Sequence, residues 1–183
     1  MSFKLLGLAA KARSGKDTVG EYLRDEYNYK LYAFADPIKQ AASVMFGIPL
    51  EHFYDGIHDR EIVNQFWGFS PREILQKLGT EAGRNVFRKD IWLKRGLQEW
   101  EDHLEESSDT GFIFTDVRFE NEATMIREQG GQVVHIIRND VEEVNDHVSE
   151  AGIVVADGDI VIYNNDSLED LYINVSDILG DNA

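Results

Sequence analysis

The opening 27 residues carry the pattern that most narrows the fold. Phe3-Lys4-Leu5-Leu6-Gly7-Leu8-Ala9 reads as a buried strand, Ala10-Lys11-Ala12-Arg13-Ser14-Gly15-Lys16-Asp17-Thr18 as a glycine-containing bend, and Val19, Tyr22 and Leu23 as one side of a helix. A buried strand entering a helix through a short bend asks for a parallel partner strand, with helices covering the sheet. The rest of the chain supplies those partners. Lys30-Leu31-Tyr32-Ala33-Phe34, Phe112 to Asp116, Gln132 to Ile137 and Asp159 to Tyr163 read as further strands, with helical patterns between or after them. The expectation is an α/β architecture on a mostly parallel, five-stranded sheet.

Between those strands, Asp36-Pro37 offers an N-cap and a proline at the first helical position, and Ile38, Ala41, Ala42 and Met45 share a face. Residues 47–69 show no clear period and read as a surface excursion. Ser70-Pro71-Arg72-Glu73 is a capping box for a helix with Ile74, Leu75 and Leu78 inward. Leu93, Leu97, Trp100 and Leu104 mark another helix. Ser167 and Asp170 cap the last one, with Leu168, Leu171, Val175 and Leu179 inward.

Charge locates the chemistry. Of 183 residues, 18 are Lys or Arg and 34 are Asp or Glu, a formal net charge of −16. No Lys or Arg follows Arg138, so every permanent cation that could meet a phosphate lies in the first 138 residues. The acidic balance argues against nucleic-acid and anionic-membrane partners, whose footprint is a basic patch. The chain has no cysteine, which removes disulfides, thiolate metal sites and cysteine nucleophiles together and fits a reducing cytoplasm. Met1 to Ala10 lacks the anatomy of a signal peptide, and no apolar run approaches the ~20 residues of a membrane span. One domain is expected at this length.

The bend at 10–18 approximates a Walker A loop. Backbone N–H groups there can form an anion nest, the helix N-terminus adds about half a positive charge, and Lys16 can reach terminal phosphates. Two departures stand out: Ala10 occupies the first glycine position, and Asp17 separates Lys16 from Thr18. The alternative is an ordinary glycine turn with an exposed lysine. An apolar strand ending in an acid is the usual place for a magnesium-organising carboxylate, and Asp116 ends the third strand, with Arg118 two residues on. The alternative for that pair is a local surface ion pair.

In order along the chain, Arg-Ser-Gly-Lys-Asp-Thr at 13–18, Asp-Pro-Ile-Lys at 36–39, Leu-Gly-Thr-Glu at 78–81, Asp-Val-Arg at 116–118 with Glu122, His-Val-Ser-Glu-Ala-Gly at 147–152, Asp-Gly-Asp-Ile-Val-Ile at 157–162 and Ser-Leu-Glu-Asp-Leu at 167–171 resemble the deoxynucleoside monophosphate kinases of tailed bacteriophages. A remoter resemblance is to the phosphomevalonate-kinase-like branch of P-loop kinases. The resemblance implies a P-loop NTPase three-layer sandwich, a single kinase domain over 1–183 with a helical acceptor-binding region at about 36–105, and lid-like insertions. It implies that Ser14, Gly15, Lys16, Asp17 and Thr18 meet ATP, and that Arg13, Lys39, Arg72, Gly79, Thr80, Trp92, Asp116, Arg118 and Glu122 surround the acceptor. Arg138 is a further candidate for ATP and Asp36 for the acceptor. Mg2+ would involve Asp17, Thr18 and Asp116, through water in part. The implied substrates are ATP and a deoxynucleoside monophosphate, and the implied assembly is a homodimer in the cytoplasm.

Residue chemistry converges on the same sites. An acceptor monophosphate carries about two negative charges, so its chief requirement is cations, and bidentate guanidinium groups suit it. Arg13, Arg72 and Arg118 are the favoured candidates; Arg60, Arg84, Arg88 and Arg138 serve equally well as surface charges. Lys39 is either a phosphate ligand or a solvated helix lysine, Asp36 a ligand or a helix cap, and Trp92 a base platform or core packing. Gly79 and Gly83 allow either close substrate approach or helix packing. A helical segment including 119–129 is expected to close over the reaction. His147 and Glu150 lie in an acidic loop and read as structural or nucleotide-adjacent. Two other readings remain: a kinase for another phosphorylated metabolite, and a nucleotide-binding switch that transfers nothing.

Overall fold

The computed structural model describes residues 3–54, 58–107, 109–139 and 153–179. The readings on His147 and Glu150 fall outside them. The chain divides into two compact units, one comprising 1–33 with 96–183 and the other 34–95.

The first unit is built on five strands: β1 (Leu5–Ala10), β2 (Lys30–Tyr32), β3 (Phe112–Phe114), β4 (Gln132–Ile137) and β5 (Ile160–Tyr163). Their order is β2-β3-β1-β4-β5 and every pairing is parallel. The expected strand positions therefore hold: β4 keeps its bounds, β2, β3 and β5 are one to two residues shorter, and β1 starts two residues later and runs one further, to Ala10. Alternation along the strands sends Leu6, Leu8, Ile113, Val134, Ile136 and Ile162 to one face. There they pack on α1 (Lys16–Tyr27) and α6 (Leu168–Leu179) through Val19, Leu23, Leu171, Val175 and Leu179.

The opposite face receives α5 (Glu120–Glu128). Gly7 makes room for it: a Cβ there would sit 2.4 Å from Ile126 Cδ1. Phe112 and Phe114 lie on this face too, and Trp100 and His103 of α4 (Ile91–Glu106) pack against Phe112. Helices thus cover both faces of the sheet, giving three layers.

The second unit is helical. It contains α2 (Asp36–Phe46), a 3-10 turn at Leu50–Phe53, α3 (Pro71–Gln76) running directly into a π-helical stretch at Lys77–Phe87, and the first turns of α4. Its core is Ala42, Ile48, Phe53 and Ile74, with Phe46, Leu75 and Leu78 packed on it. The capping box holds, as Ser70 N–H donates to Glu73 Oε2 at 2.7 Å and Glu73 N–H to Ser70 Oγ at 3.2 Å.

Several apolar faces differ from their expected positions. In α2, Ile38 and Ala42 are buried while Ala41 and Met45 are exposed, so the inward stripe is narrower than expected; the helix also begins one residue early, with Ala35 as the N-cap and Asp36 already helical. In α4 the buried stripe is Gly96, Trp100 and His103, and Leu104 is 40% exposed. His103 takes the inner place because Nε2 bonds Thr110 O at 3.1 Å and its ring stacks on Trp100. Leu168 is 55% exposed at the first turn of α6. The segment 119–129 is no mobile cover: Ala123, Met125 and Ile126 are buried, and its departure would strip the sheet of that layer.

Candidate active site

All five strands point the same way, so the segments leaving them gather at one edge. Ala10 pairs with Ile136, which explains the missing first glycine: this position is extended strand, not loop. The bend proper spans 11–15. Ser14 N–H donates to Lys11 O at 3.3 Å, and the left-handed residues Arg13 (φ 64°) and Gly15 (φ 92°) turn the chain into α1. Gly15 needs to be glycine at that φ. Val19 N–H donates to Gly15 O at 3.1 Å and opens the helix, leaving the earlier N–H groups and the positive end of the helix dipole beside Ser14 to Thr18. Lys16 lies on this first turn with Nζ 2.7 Å from Asp17 Oδ1, so Asp17 offers its carboxylate to the lysine, while the Thr18 hydroxyl stands one residue on.

The neighbours of β1 bring the next residues. Beyond β3, Thr115 N–H donates to Tyr32 O at 2.8 Å and Val117 N–H to Leu8 O at 3.1 Å, which seats Asp116 beside the strand that enters the loop. Arg118 is exposed, and its backbone is fixed by buried Glu122, whose Oε2 accepts from Arg118 N–H at 2.9 Å and Phe119 N–H at 3.1 Å. Glu122 was expected at the acceptor; its geometry instead makes it the carboxylate that caps α5 and orients Arg118. On the other side of β1, Arg138 leaves β4 two positions after the Ala10–Ile136 rung. With strands about 4.8 Å apart, the Asp116–Arg118 and Arg138 segments flank the loop on both sides.

Within the helical unit the acceptor-side candidates form two groups. Lys39 Nζ bonds Asp36 Oδ1 at 3.0 Å and stands 4.0 Å from the centre of the Tyr54 ring, and Tyr54 OH donates to the same Asp36 oxygen at 3.3 Å. The Lys39 side chain is 12% exposed, which excludes a freely solvated lysine, and Asp36 makes no side-chain cap. Burial, then the adjacent Asp36 carboxylate, raises the Tyr54 phenol above its ordinary value. Tyr54 was not singled out in the sequence; it lies in the aperiodic stretch and only the fold brings it back to α2.

The second group is Gly79, Gly83 and Trp92. The Trp92 indole N–H donates to Gly79 O at 2.7 Å, and a Cβ on Gly83 would lie 2.6 Å from the indole ring. Gly79 also abuts Ile38, so both glycines make close packing contacts. Thr80 follows in the same π-helical stretch, a geometry that is rare and concentrates at functional sites. Arg72, on the first turn of α3, pairs with Glu61. Arg88 is spent on Asp90, two residues on.

The sequence reading missed two further features of the sheet unit. Asn164, directly after β5, donates from its side-chain amide to Ser14 O at 2.9 Å. Asp159, whose side chain is 2% exposed, receives both Arg127 Nε–H at 2.9 Å and the second guanidinium nitrogen at 2.7 Å, the Ala156 N–H at 2.9 Å, and lies 2.9 Å from His135 Nε2. Burial alone raises such a carboxyl; the hydrogen bonds from Arg127, Ala156 and His135 more than reverse it, to about 2.

The donors suit magnesium bound mainly by phosphates and water, since one or two protein oxygens, the Thr18 hydroxyl and Asp116, are what such an ion ordinarily takes. Among the described residues there is no cluster of three or more His, Cys, Asp or Glu that could hold a metal unaided. No described helix is long and apolar enough to cross a membrane.

The sequence profile of the deoxynucleotide monophosphate kinase family matches residues 4–54 and 48–175. The deoxynucleotide monophosphate kinase of Escherichia phage RB69 is 33% identical over 131 residues, covering 72% of this chain and 51% of the phage protein. The Enterobacteria phage T4 enzyme of the same name is 26% identical over 238 residues, covering 96% of this chain and 98% of its own. An Acanthamoeba polyphaga mimivirus protein, provisionally given that name, is 31% identical over 177 residues and 92% of each chain. Among solved structures, dephospho-CoA kinase from Campylobacter jejuni matches with a TM-score of 0.52 at 15% identity, covering 97% of this chain and 96% of that one. A sugar kinase from Janibacter sp. HTCC2649 gives 0.51 at 14% identity, covering 98% and 95%. These two likenesses show the three-layer kinase fold, and the profile, spanning most of the sequence, goes further: the chain belongs to the deoxynucleotide monophosphate kinase family.

Proposed function

We propose that this kinase transfers the γ-phosphoryl of ATP to a deoxynucleoside 5′-monophosphate, giving the diphosphate and ADP. The observation that carries the reading is the phosphate loop between β1 and α1, flanked on the same sheet edge by Asp116–Arg118 and Arg138. Ser14 to Thr18 bind the triphosphate through backbone N–H groups and Lys16, and Arg138 meets ATP from the β4 side. Thr18, Asp116 and Asp17, in part through water, would hold magnesium, which would supply charge neutralisation at the donor phosphates.

The transfer asks little covalent chemistry of the protein, because a monophosphate oxygen is already anionic; its difficulty is repulsion between two anions. Lys16 and Arg118 offset the charge on the transferring group, and Arg13 and Arg72 align the acceptor. Glu122 acts through Arg118, fixing the backbone from which the guanidinium extends. Acceptor-binding roles fall to Asp36, Lys39, Gly79, Thr80, Trp92 and Asp116. Lys39 suits a phosphate because it is desolvated and held by Asp36 and Tyr54; Trp92, tied to Gly79, presents whatever face of the indole its packing leaves. The assembly is a homodimer in the cytoplasm, an assignment supported by the family resemblance alone.

The test is direct. With ATP and Mg2+, a panel of deoxynucleoside monophosphates yields diphosphates; no product from any of them, beside turnover of another phosphorylated acceptor, defeats the nucleotide assignment.

A further inference from the structure

The phosphate loop is hydrogen-bonded by a residue 150 positions away. Asn164 Nδ2–H donates to Ser14 O at 2.9 Å, and a Cβ on Gly15 would fall 2.3 Å from that nitrogen. Asn164 is itself anchored: its backbone N–H donates to Ile137 O at 2.8 Å, one step past the Ile137–Tyr163 pair. The next residue, Asn165, accepts from Asn139 N–H through Oδ1 at 2.9 Å, and the Ser167–Asp170 cap then fixes the start of α6.

A planar peptide holds its C=O and N–H on opposite sides. Pinning the Ser14 carbonyl therefore aims the Gly15 N–H away from Asn164. Glycine at 15 tolerates either orientation of the Ser14–Gly15 peptide, so the loop sequence by itself leaves that N–H free to swing. The amide of Asn164 removes the freedom. Only a neutral donor serves here: an aspartate sets acceptor against acceptor and adds a negative charge beside an anion site, while an alanine leaves the carbonyl unheld.

We infer that Asn164 is a positioning residue for the donor nucleotide, holding the Ser14 carbonyl so that the Gly15 N–H stays aimed at a phosphate. The inference rests on the phosphate-loop reading above. It is tested by calorimetric titration of MgATP into the wild type, Asn164→Ala, Asn164→Asp and Lys16→Met, with steady-state kinetics in both substrates and thermal melting. Loss of one hydrogen bond predicts that Asn164→Ala weakens MgATP binding and raises the ATP KM by about tenfold. The acceptor KM stays within about twofold and the melting temperature within a few degrees. Asn164→Asp loses more, on the order of a hundredfold, since charge repulsion adds to the lost donor.

MgATP affinity within twofold of wild type in both variants overturns the inference, as does an equal loss for both substrates accompanied by a lowered melting point. If the alanine variant fails to fold, Asn164→Ser is measured in its place, with the same expectation and the same refutation. The two readings separate through Lys16→Met. Full transfer by that variant brings down the phosphate-loop reading, whereas a dead Lys16→Met beside normal MgATP binding by the Asn164 variants brings down only the role of Asn164.

Discussion

The sheet unit and the helical unit place their candidate site residues by different means. In the first, the loop at 11–15, Asp116, Arg118 and Arg138 each follow the C-terminal end of a parallel strand, so backbone pairing delivers them to one edge, and the side chains of Glu122 and Asn164 only refine the result. In the second, Lys39 is held by Asp36 and Tyr54, Arg72 by Glu61, and Gly79 by Trp92. There the positions depend on individual side-chain contacts. A site set by topology tolerates change around it; a site set by contacts is tuned by them.

That contrast can be broken most forcefully at Lys16. Lys16→Met should lower transfer by about a thousandfold or more, with melting little changed, because, among the described residues, the only ion pair it gives up is with the exposed Asp17 carboxylate; retained full activity in a coupled assay contradicts the role. The next effect belongs to stability. Arg127→Met leaves the Asp159 carboxylate buried without its main partner, at a cost of about 3 kcal/mol. For a chain of this size the melting temperature should fall by roughly 6–12 °C. A fall under 2 °C in calorimetry means that topology alone carries this unit.

Acid provides a third probe of the same carboxylate. Its folded-state value, about 2, lies below the unfolded value of about 3.9. The stabilisation is thus fully present above about pH 5 and is lost as pH falls toward 2, amounting to roughly 2–3 kcal/mol. Denaturant titrations across that range should show the loss in the wild type, and much less of it in Asp159→Asn. The smallest expected effect sharpens the helical side: Lys39→Met should raise the acceptor KM about tenfold while leaving the ATP KM within twofold. Equal shifts in both would remove the acceptor role of Lys39.

Legibility in the sequence followed the same division. Strand order could not be read, but strand existence could, because runs such as Gln132 to Ile137 have a short-range period and β-branched content that survive any tertiary context. The phosphate loop and Asp116 were legible for the same reason, being defined by where a strand ends. Helix faces were less so. The α4 stripe went to His103 in place of Leu104, since a histidine with a carbonyl and an aromatic partner is buried at little cost, and hydrophobicity cannot see partners. Tyr54 and Asn164 were silent because their meaning lies in residues 18 and 150 positions away, Asp36 and Ser14.

The Asp159 cluster stands just ahead of β5, where that strand enters the sheet, while the phosphate loop lies where β1 leaves it. Cohesion and chemistry are thereby housed at opposite rims. A substitution in the loop at the exit rim therefore leaves the Asp159 clasp at the entrance untouched.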